Sequence, residues 1–575
     1  MSTIPAHPPD VRNGSEAKSK LTPYQFGRTV AEISPSPDNP TSVGIEENTV
    51  DRRTFLAAST TVLAAPAIGR AQGSRVLRFI PHADLSTLDP HWNTAYVTRN
   101  HGFMVFDTLY GTDSQYRATP QMVAGHTTEA DGLLWTLTLR DGLLWHDNTP
   151  VLARDCVASI RRWGTKDTFG QALLAATDEL SAPDDRRILF RLKRPFPLLP
   201  DALAKSGVYM PAMMPERLAR TDPATQVTEM VGSGPFRFKA DERMAGARAV
   251  YERFAGYVPL PSGTPDRTSG PKIVHLDRVE WTTVPDPATA AAALQRNETD
   301  WWDYASADLL PLLRRNPAIK TEIQDPAGQI ALMRMNHLQP PFDNPAIRRA
   351  VLGAVNQADF MTAIMGDDTS LWHAGAGMFT PGTPLANDAG MEALTGPRNL
   401  DASRRALQAA GYKNERVALI VPTDFPNLKA MADVGADMLK RIGMNVDYQA
   451  TDWGTLLTRR AKKDPVDVGG WSAFFTFGAG LDQATPAANL MLRANGPNAW
   501  FGWPDDPRIE QLRDAWFAAP DAAAQKRIAA DLQLRALETV PYIPCGQYFQ
   551  PTAYRTSLRD VLSGFSMFWN VRKDG

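Results

Sequence analysis

The sequence predicts an α/β fold, because segments typical of strands and helices alternate along the chain. In the clearest unit, an apolar strand at residues 417–421 precedes a helix at 427–442, which Gly443 closes, and a second strand at 445–449. Parallel strands joined in this way are expected to cross over with a right hand. Ligands bind beyond the carboxyl ends of such strands, so the loop at 422–426 is predicted to face a cleft.

The remaining elements follow from the same local rules. Alternating apolar residues predict strands, Asp141-Gly142 predicts a turn, and Pro287 fits the first turn of a helix. The predicted elements are strands at 76–80, 134–139, 188–192 and 279–284, a hairpin that joins 134–139 to 143–145, and an Ala-rich helix at 287–295. No internal repeat is detectable, so the chain is not predicted to be a repeat array.

Length and composition exclude several classes of protein. The chain has 575 residues, which predicts more than one domain, and 43% of them are hydrophobic, enough to form real cores. Its 61 basic and 63 acidic residues give a net charge of -2, so no nucleic acid is expected as a partner. Two cysteines, Cys156 and Cys545, exclude a disulfide framework and are predicted to be buried free thiols.

The N-terminal region has the composition of an export segment. Residues 1–50 are polar and Pro-rich, and predict a disordered extension or an over-long translation start. Residues 51–71 combine Arg52-Arg53 with a short apolar run, which predicts a twin-arginine-like signal peptide cut after Ala71. The alternative is an amphipathic helix with an accidental arginine pair. Export predicts a soluble mature protein in a bacterial periplasm.

Motifs for catalysis are missing. The nine histidines are scattered, and the sequence has no metal-ligand cluster, phosphate-binding loop or nucleophile elbow. The Gly232-Ser233-Gly234-Pro235 run is interpreted as a tight structural turn, because proline lacks the amide donor of a phosphate cradle. Asp367-Asp368 is expected to be solvated. We therefore predict no catalytic residue, no metal and no cofactor.

Several short motifs occur in order along the chain. These are Leu88-Asp89-Pro90, Asp131 to Trp135, Leu139 to Gly142, Trp145-His146-Asp147, Arg154 to Val157, Gly232 to Phe236, Asn344 to Ala350 and Tyr542-Ile543-Pro544. Each motif is weak alone, but their order and spacing resemble the extracellular solute-binding protein family 5, which includes the dipeptide-, oligopeptide- and nickel-binding receptors of ABC importers. The resemblance covers residues 75–570.

The resemblance implies a two-lobed periplasmic-binding-protein (class II) fold with an extra subdomain and a hinge of two crossing segments. The implied divisions are lobe I at 75–110, 221–330 and 540–575, the extra subdomain at 111–220, and lobe II at 331–539. It also implies a monomeric periplasmic protein that captures a small organic or peptide-like ligand and delivers it to permease subunits in the inner membrane. Alternatives are a receptor for peptides or metal complexes, and a periplasmic enzyme.

Peptide-binding members carry a Gly-Trp-x-x-Asp run whose acid holds the ligand's amino group. The matching run here begins at Gly470-Trp471, and Phe474 occupies the position of the acid. A phenylalanine can face a cation only through its ring, which puts binding of ordinary peptides in doubt. Asp482, eight residues further on, is an alternative if the loop folds back.

The predicted ligand pocket is therefore aromatic, with a few polar residues that orient the ligand. A second aromatic group lies in a Gly/Pro loop at 498–504, which favours a cleft wall over a buried helix face. The predicted ligand-binding residues are Trp92, Asn93, Tyr96, Trp372, Trp471, Ser472, Phe474, Phe475, Thr476, Trp500 and Trp503. His373 is either a further contact or an ordinary surface histidine.

Overall fold

A computed structural model describes residues 75–519 and 521–574 of the protein. The predicted N-terminal extension at 1–50 and the predicted signal peptide at 51–71 lie outside the described residues. Among the described residues, no helix combines the length and the apolar character that crossing a membrane requires.

Strands and helices alternate along the described chain. The strands are β1 (Val76–Ile80), β2 (Tyr110–Thr112), β3 (Ala118–Pro120), β4 (Val123–Glu129), β5 (Leu134–Leu139), β6 (Thr177–Ser181), β7 (Arg187–Leu192), β8 (Phe236–Phe238), β9 (Arg248–Arg253), β10 (Arg278–Thr282), β11 (Trp301–Trp302), β12 (Ile319–Ile323), β13 (Gln329–Met335), β14 (Trp372–His373), β15 (Arg416–Pro422), β16 (Asn445–Thr451), β17 (Ala473–Ala479), β18 (Ile543–Tyr548), β19 (Pro551–Arg555), β20 (Leu558–Arg559) and β21 (Arg572–Lys573). The helices are α1 (Tyr96–Val105), α2 (Ala153–Gly164), α3 (Thr168–Ala176), α4 (Leu199–Leu203), α5 (Glu216–Ala219), α6 (Pro287–Gln295), α7 (Leu310–Leu313), α8 (Pro345–Leu352), α9 (Gln357–Met365), α10 (Glu392–Thr395), α11 (Leu400–Ala409), α12 (Pro426–Arg441), α13 (Trp453–Arg459), α14 (Pro507–Phe517) and α15 (Ala522–Thr539).

The first large sheet has seven strands in the order β12-β19-β11-β1-β10-β9-β8. The predicted strand at 76–80 is its centre, where it runs parallel to β10 and β11. Beneath it, the Phe79 ring packs 5.4 Å from Trp281, 5.4 Å from Trp301 and 5.0 Å from Phe568 between centroids. These four aromatic side chains are almost completely buried and form a rigid core under the sheet.

The second large sheet has six strands in the order β14-β18-β13-β17-β15-β16. It contains the predicted unit: β15 and β16 are parallel, α12 connects them, and Gly443 follows with a φ of 95°. A Cβ on Gly435 of α12 would lie 2.0 Å from the Phe475 ring of β17, so only glycine lets the helix approach this closely.

A four-stranded sheet, β4-β5-β7-β6, forms within the predicted extra subdomain. The strand at 134–139 is confirmed, but the predicted hairpin with 143–145 is wrong, because β5 pairs with β4 and β7. Residues 143–151 instead fold back on themselves. Trp145 N–H donates to the Thr149 carbonyl at 2.8 Å, and Val151 N–H donates to the Leu143 carbonyl at 3.0 Å.

The chain passes between the two large sheets at two places, 324–328 and 549–550. The second place differs from the boundary expected at residue 540. Strand β18 pairs with β13 and β14, so residues 543–548 belong to the second sheet and only the chain from β19 onward returns to the first.

Two other local predictions agree with the structure. A Cβ on Gly232 would lie 2.0 Å from the Val105 carbonyl oxygen, and one on Gly234 would lie 2.6 Å from the Met104 carbonyl oxygen, so the run is a turn packed on backbone. Cys156 and Cys545 are free and fully buried. Burial raises the pKa of both thiols.

One buried histidine predicts a loss of stability in acid. His91 is 1% exposed, neither ring nitrogen has a partner among the described residues, and burial lowers its pKa to about 4. Between about pH 6.5 and 4, the His91 imidazole therefore binds a proton in the unfolded chain but stays neutral in the folded chain. We expect His91→Gln to reduce the fall in unfolding free energy over this range by up to about 1.4 kcal/mol per pH unit. Urea unfolding of both proteins at pH 7, 6 and 5 measures the difference, and identical slopes would contradict it.

Candidate functional site

Several cavities lie between elements of the two large sheets and the subdomain, and two of them share Asp482 as a lining residue. The inner cavity, about 30 Å³, is lined from the first sheet's side by His82 and Tyr96, and from the second sheet's side by Arg460, Thr476 and Trp500, among others. A volume of this size holds roughly two water molecules. The inner cavity is therefore a small space between the two sheets.

The outer cavity, about 250 Å³, lies between the subdomain and the second sheet. Phe169 and Lys205 line it from the subdomain, and Ala487 and Trp516 from the opposite side. Its wall is mostly apolar with a few polar groups, which is the character of small-molecule sites. Asp482 lines both cavities and marks the point where they meet.

Tyr96, the first residue of α1, forms a hydrogen bond to Asp482 across the cleft. The Tyr96 hydroxyl donates to Asp482 Oδ2 at 2.8 Å and accepts a hydrogen bond from the Ala479 N–H at the end of β17. The Tyr96 ring stacks on Phe477 of β17, with centroids 5.5 Å apart. These contacts join the first helix to the second sheet, so the structure is a closed form.

The Asp482 carboxylate has no cation partner. It is 7% exposed, and among the described residues no lysine, arginine or histidine nitrogen lies within 4.0 Å. The nearby Lys205 ammonium pairs with Asp167 and donates to the Val208 carbonyl at 2.9 Å. Burial raises the pKa of Asp482, while the positive charges of Lys205 and Arg99 act in the opposite direction.

Three of the eleven predicted ligand-binding residues, Tyr96, Thr476 and Trp500, line the inner cavity. The other eight line neither cavity. The structure thus brings a predicted residue to the cleft from each side, but it places most of the predicted aromatic wall elsewhere.

The aromatic residues around Trp471 form a buried cluster inside the second lobe. The Phe474 ring lies 5.0 Å from Trp471 and 5.9 Å from Trp500, and Trp503 lies 6.0 Å from Trp471. Trp471 and Phe474 are completely buried. Phe474 therefore packs in the protein core, where it meets other rings rather than the cavities.

The remaining predicted residues have structural contacts. The Ser472 hydroxyl accepts the Ala418 N–H at 3.0 Å, the Phe475 ring packs on α12, and Trp372 Nε1–H donates to the Gly366 carbonyl at 3.0 Å. Asn93 Oδ1 accepts the Ala95 N–H at 2.9 Å, and Lys166 lies 5.3 Å above the Trp92 ring. His373 is exposed in β14. These contacts give each side chain a role in its own element.

Sequence analysis missed some residues that line the inner cavity. Trp453, the first residue of α13, and Arg460, which directly follows this helix, both line the cavity. His82 lines it from the loop after β1. His82 is fixed because its Nδ1 lies 2.5 Å from Asp303 Oδ2 and its ring stacks on Tyr304 at 4.4 Å. Only the position of His82 just beyond a parallel strand could have indicated it.

Two large sheets, two chain crossings between them and a cleft lined from both sides define a two-lobed periplasmic binding protein. Residues 117–483 match the sequence model of the bacterial extracellular solute-binding proteins, family 5 Middle. A probable peptide ABC transporter periplasmic-binding protein of Sinorhizobium fredii is 35% identical over 91% of this chain and all of its own length. The protein therefore belongs to the bacterial extracellular solute-binding proteins of family 5.

More distant proteins are also similar to this chain in sequence or in structure. A glutathione-binding protein of Pectobacterium atrosepticum is 23% identical over 86% of this chain and 92% of its own. Among solved structures, the agropinic acid complex of AgaA from A. tumefaciens matches with a TM-score of 0.72 and 21% identity, over 87% of this chain and 99% of that one. The Helicobacter pylori DppA complex with the peptide STSA also gives 0.72, at 20% identity, over 87% and 98%.

Proposed function

We propose that this protein is the periplasmic receptor of an ABC importer and captures a peptide-like or small organic solute between its lobes. The protein acts as a monomer, reaches the periplasm through its twin-arginine-like signal, and presents the closed form to permease subunits in the inner membrane. It makes and breaks no bond. The crossings at 324–328 and 549–550 form the hinge, and the ligand shifts the lobes toward closure by its greater affinity for the closed form.

The unpaired Asp482 carboxylate carries the proposal. Buried charges in proteins are normally paired, and this one lies where both cavities meet. An ammonium group on the ligand supplies the missing partner through charge-assisted hydrogen bonds. The outer cavity then holds the apolar part of the same ligand. Asp482 thus takes the role that the sequence pattern assigned to the position of Phe474.

A metal complex and an enzyme substrate are less well supported. Among the described residues, no group of three or more histidine, cysteine, aspartate or glutamate side chains is arranged to hold a metal ion. A complex could still bring its own ligands, so nickel-histidine belongs in the binding screen. Mass spectrometry of each bound compound distinguishes a receptor from an enzyme. A receptor returns the compound unchanged, whereas an enzyme converts it to a product.

We expect Asp482→Asn to weaken the binding of free-amine dipeptides by about 10- to 100-fold, because the amide keeps the shape but loses the charge. N-acetylated dipeptides should bind both proteins equally weakly. Isothermal titration calorimetry with matched pairs of free and acetylated dipeptides measures both effects.

Asp464→Asn is the control, since Asp464 is exposed and lines neither cavity. This variant should retain the affinity of the unaltered protein. Equal affinity for free and acetylated dipeptides in the unaltered protein would contradict the role of Asp482. Failure of every peptide and amine to bind would contradict the proposed ligand class.

A further inference from the structure

The outer cavity carries more negative charge than the described residues of the protein neutralise. Its charged lining residues in the described chain are Asp201 of α4, Asp482 and Lys205. The Lys205 ammonium is already paired with Asp167, which does not line the cavity, and it also donates to the Val208 carbonyl. The described wall therefore presents two carboxylates and no cation that is free to pair with them.

Asp201 is the carboxylate of this wall to which the proposed function gives no role. It is half-buried, and among the described residues no lysine, arginine or histidine nitrogen lies within 4.0 Å of it. No other side chain of the described residues donates a hydrogen bond to it. Burial raises the pKa of Asp201, because part of the water around its charge is removed.

Carboxylates that stabilise the fold of the subdomain have several partners. The buried Asp155 side chain accepts hydrogen bonds from two backbone N–H groups and an indole N–H. Asp167, also buried, accepts two backbone N–H groups and the Lys205 ammonium. Asp201 differs from both, so the fold of the subdomain does not account for its charge.

The same cavity also has an unused donor. Trp516 lines the side opposite the subdomain and is 4% exposed, and its Nε1–H has no acceptor among the described residues. Buried polar groups in proteins normally have a hydrogen-bond partner. A donor without one in a cavity wall therefore indicates an occupant that offers an acceptor, such as a peptide carbonyl.

The rest of the wall fits an aliphatic chain. Phe169 and Leu198 from the subdomain and Ala487 from the opposite side are apolar, and the volume of about 250 Å³ is several times that of the inner cavity. Lysine and arginine side chains have an aliphatic stem that packs on apolar surface and a charged end that reaches a polar group. An apolar wall with two carboxylates therefore matches a ligand with such a chain and two cationic groups.

We propose that the outer cavity selects a ligand whose side chain ends in a cation, with Asp201 as the charge partner of that cation and Trp516 as a donor to a ligand carbonyl. The inference rests on the proposed function and narrows it to peptide-like ligands with a lysine- or arginine-type first residue. Asp482 pairs with the α-ammonium and Asp201 with the far end of the side chain. Both carboxylates repel an acidic side chain, and an apolar one leaves Asp201 unpaired.

The test uses pairs of dipeptides that differ only in the charge of the first side chain. Lysyl-alanine is compared with norleucyl-alanine, and arginyl-alanine with citrullyl-alanine, by isothermal titration calorimetry. The unaltered protein should prefer the charged member by about 5- to 20-fold, less than for a fully buried pair because water reaches Asp201. Asp201→Asn should bind both members equally, and Asp201→Glu should retain part of the preference.

Two further variants separate this site from other charges. Asp185→Asn removes the same charge from an exposed position of the subdomain that lines neither cavity, and it should leave the preference unchanged. Asp482→Asn should weaken the binding of all four dipeptides but keep the ratio within each pair. Equal binding of the two members by the unaltered protein, or a preference that survives in Asp201→Asn, would overturn the inference and leave the proposed function intact.

A second probe does not depend on peptide binding. Cadaverine, which has two ammonium groups on an aliphatic chain, should raise the unfolding temperature of the unaltered protein more than pentylamine does, and Asp201→Asn should lose the difference. Failure of every dipeptide to bind, combined with this cadaverine effect, would reject the proposed ligand class but support the cation site. Absence of both effects would overturn the inference as well. If Asp201→Asn does not fold, the ratios of the unaltered protein and Asp201→Glu decide.

Discussion

Gly207→Val is expected to prevent lobe closure and to weaken ligand binding by about 150-fold or more. Gly207 lies in the subdomain and faces Asp482 across the cleft. A Cβ at this position would lie 1.5 Å from Asp482 Oδ1 and 2.6 Å from its Cγ. The short aspartate side chain cannot move far while Tyr96 holds Oδ2, so the branched side chain forces the lobes apart. Overpacking of this severity costs about 3 kcal/mol or more.

The apparent affinity falls because the fraction of closed protein falls. A ligand that binds the closed form must first supply the energy of closure, and its apparent dissociation constant rises in inverse proportion to the closed fraction. The unfolding free energy should change by less than about 0.5 kcal/mol, because the three nearest atoms to the added Cβ belong to Asp482 on the other lobe. A large loss of stability would show that Gly207 serves the subdomain itself.

Spin labels can measure closure directly. Glu298 and Asp437 are exposed and lie in the parts of the chain that carry the first and second sheets, and the two native cysteines are buried, so cysteines introduced at these sites take up the label selectively. Gly207→Val should lengthen the distance between the labels. The double variant Gly207→Val/Asp482→Ala should restore the short distance, since it removes the clashing carboxylate. A short distance in the single variant would contradict the mechanism.

The α/β organisation could be predicted because its signals are local. The unit predicted at 417–449 occurs as β15, α12 and β16, with bounds that differ by one or two residues. Strand alternation and a closing glycine act within a few residues of one another. The prediction of a hairpin with 143–145 was wrong because strand pairing is not local in the same way. Strand β5 pairs with β4 and with β7, and β7 lies about fifty residues further along the chain.

The site could be predicted only in part because it depends on the length of a strand. Counting from Trp471 placed the acid of the family pattern at Phe474, but β17 continues to Ala479 and carries Phe474 into the core. Asp482 is the first acidic residue after the strand ends. Arg460 gives no local signal, since nothing in the sequence distinguishes it from the adjacent Arg459. Only the fold shows which of the two reaches the cavity.

The loop that carries Trp500 depends on a second buried arginine, Arg334 of β13. Its Nε donates to the Phe501 carbonyl at 2.5 Å, Nη1 to the Met491 and Pro541 carbonyls at 2.9 and 3.0 Å, and Nη2 to the Trp500 carbonyl at 3.0 Å. Burial lowers the pKa of Arg334 to about 9. One guanidinium thus satisfies backbone groups from three separate segments.

Arg334→Met is therefore expected to lower the free energy of unfolding by about 3–5 kcal/mol, although it removes a buried charge. Methionine fills much of the space but leaves four buried carbonyls without donors, and each such group costs about 1–3 kcal/mol. Relief of the desolvated charge returns only part of this. For a lobe of this size the unfolding temperature should fall by roughly 6–20 °C.

Hydrogen exchange should rise first at residues 489–504, while Arg459→Met, which removes a half-buried arginine, should leave that segment protected. An unchanged unfolding temperature would mean that water or a backbone shift replaces the guanidinium, and the position of Trp500 would then depend on the aromatic cluster alone.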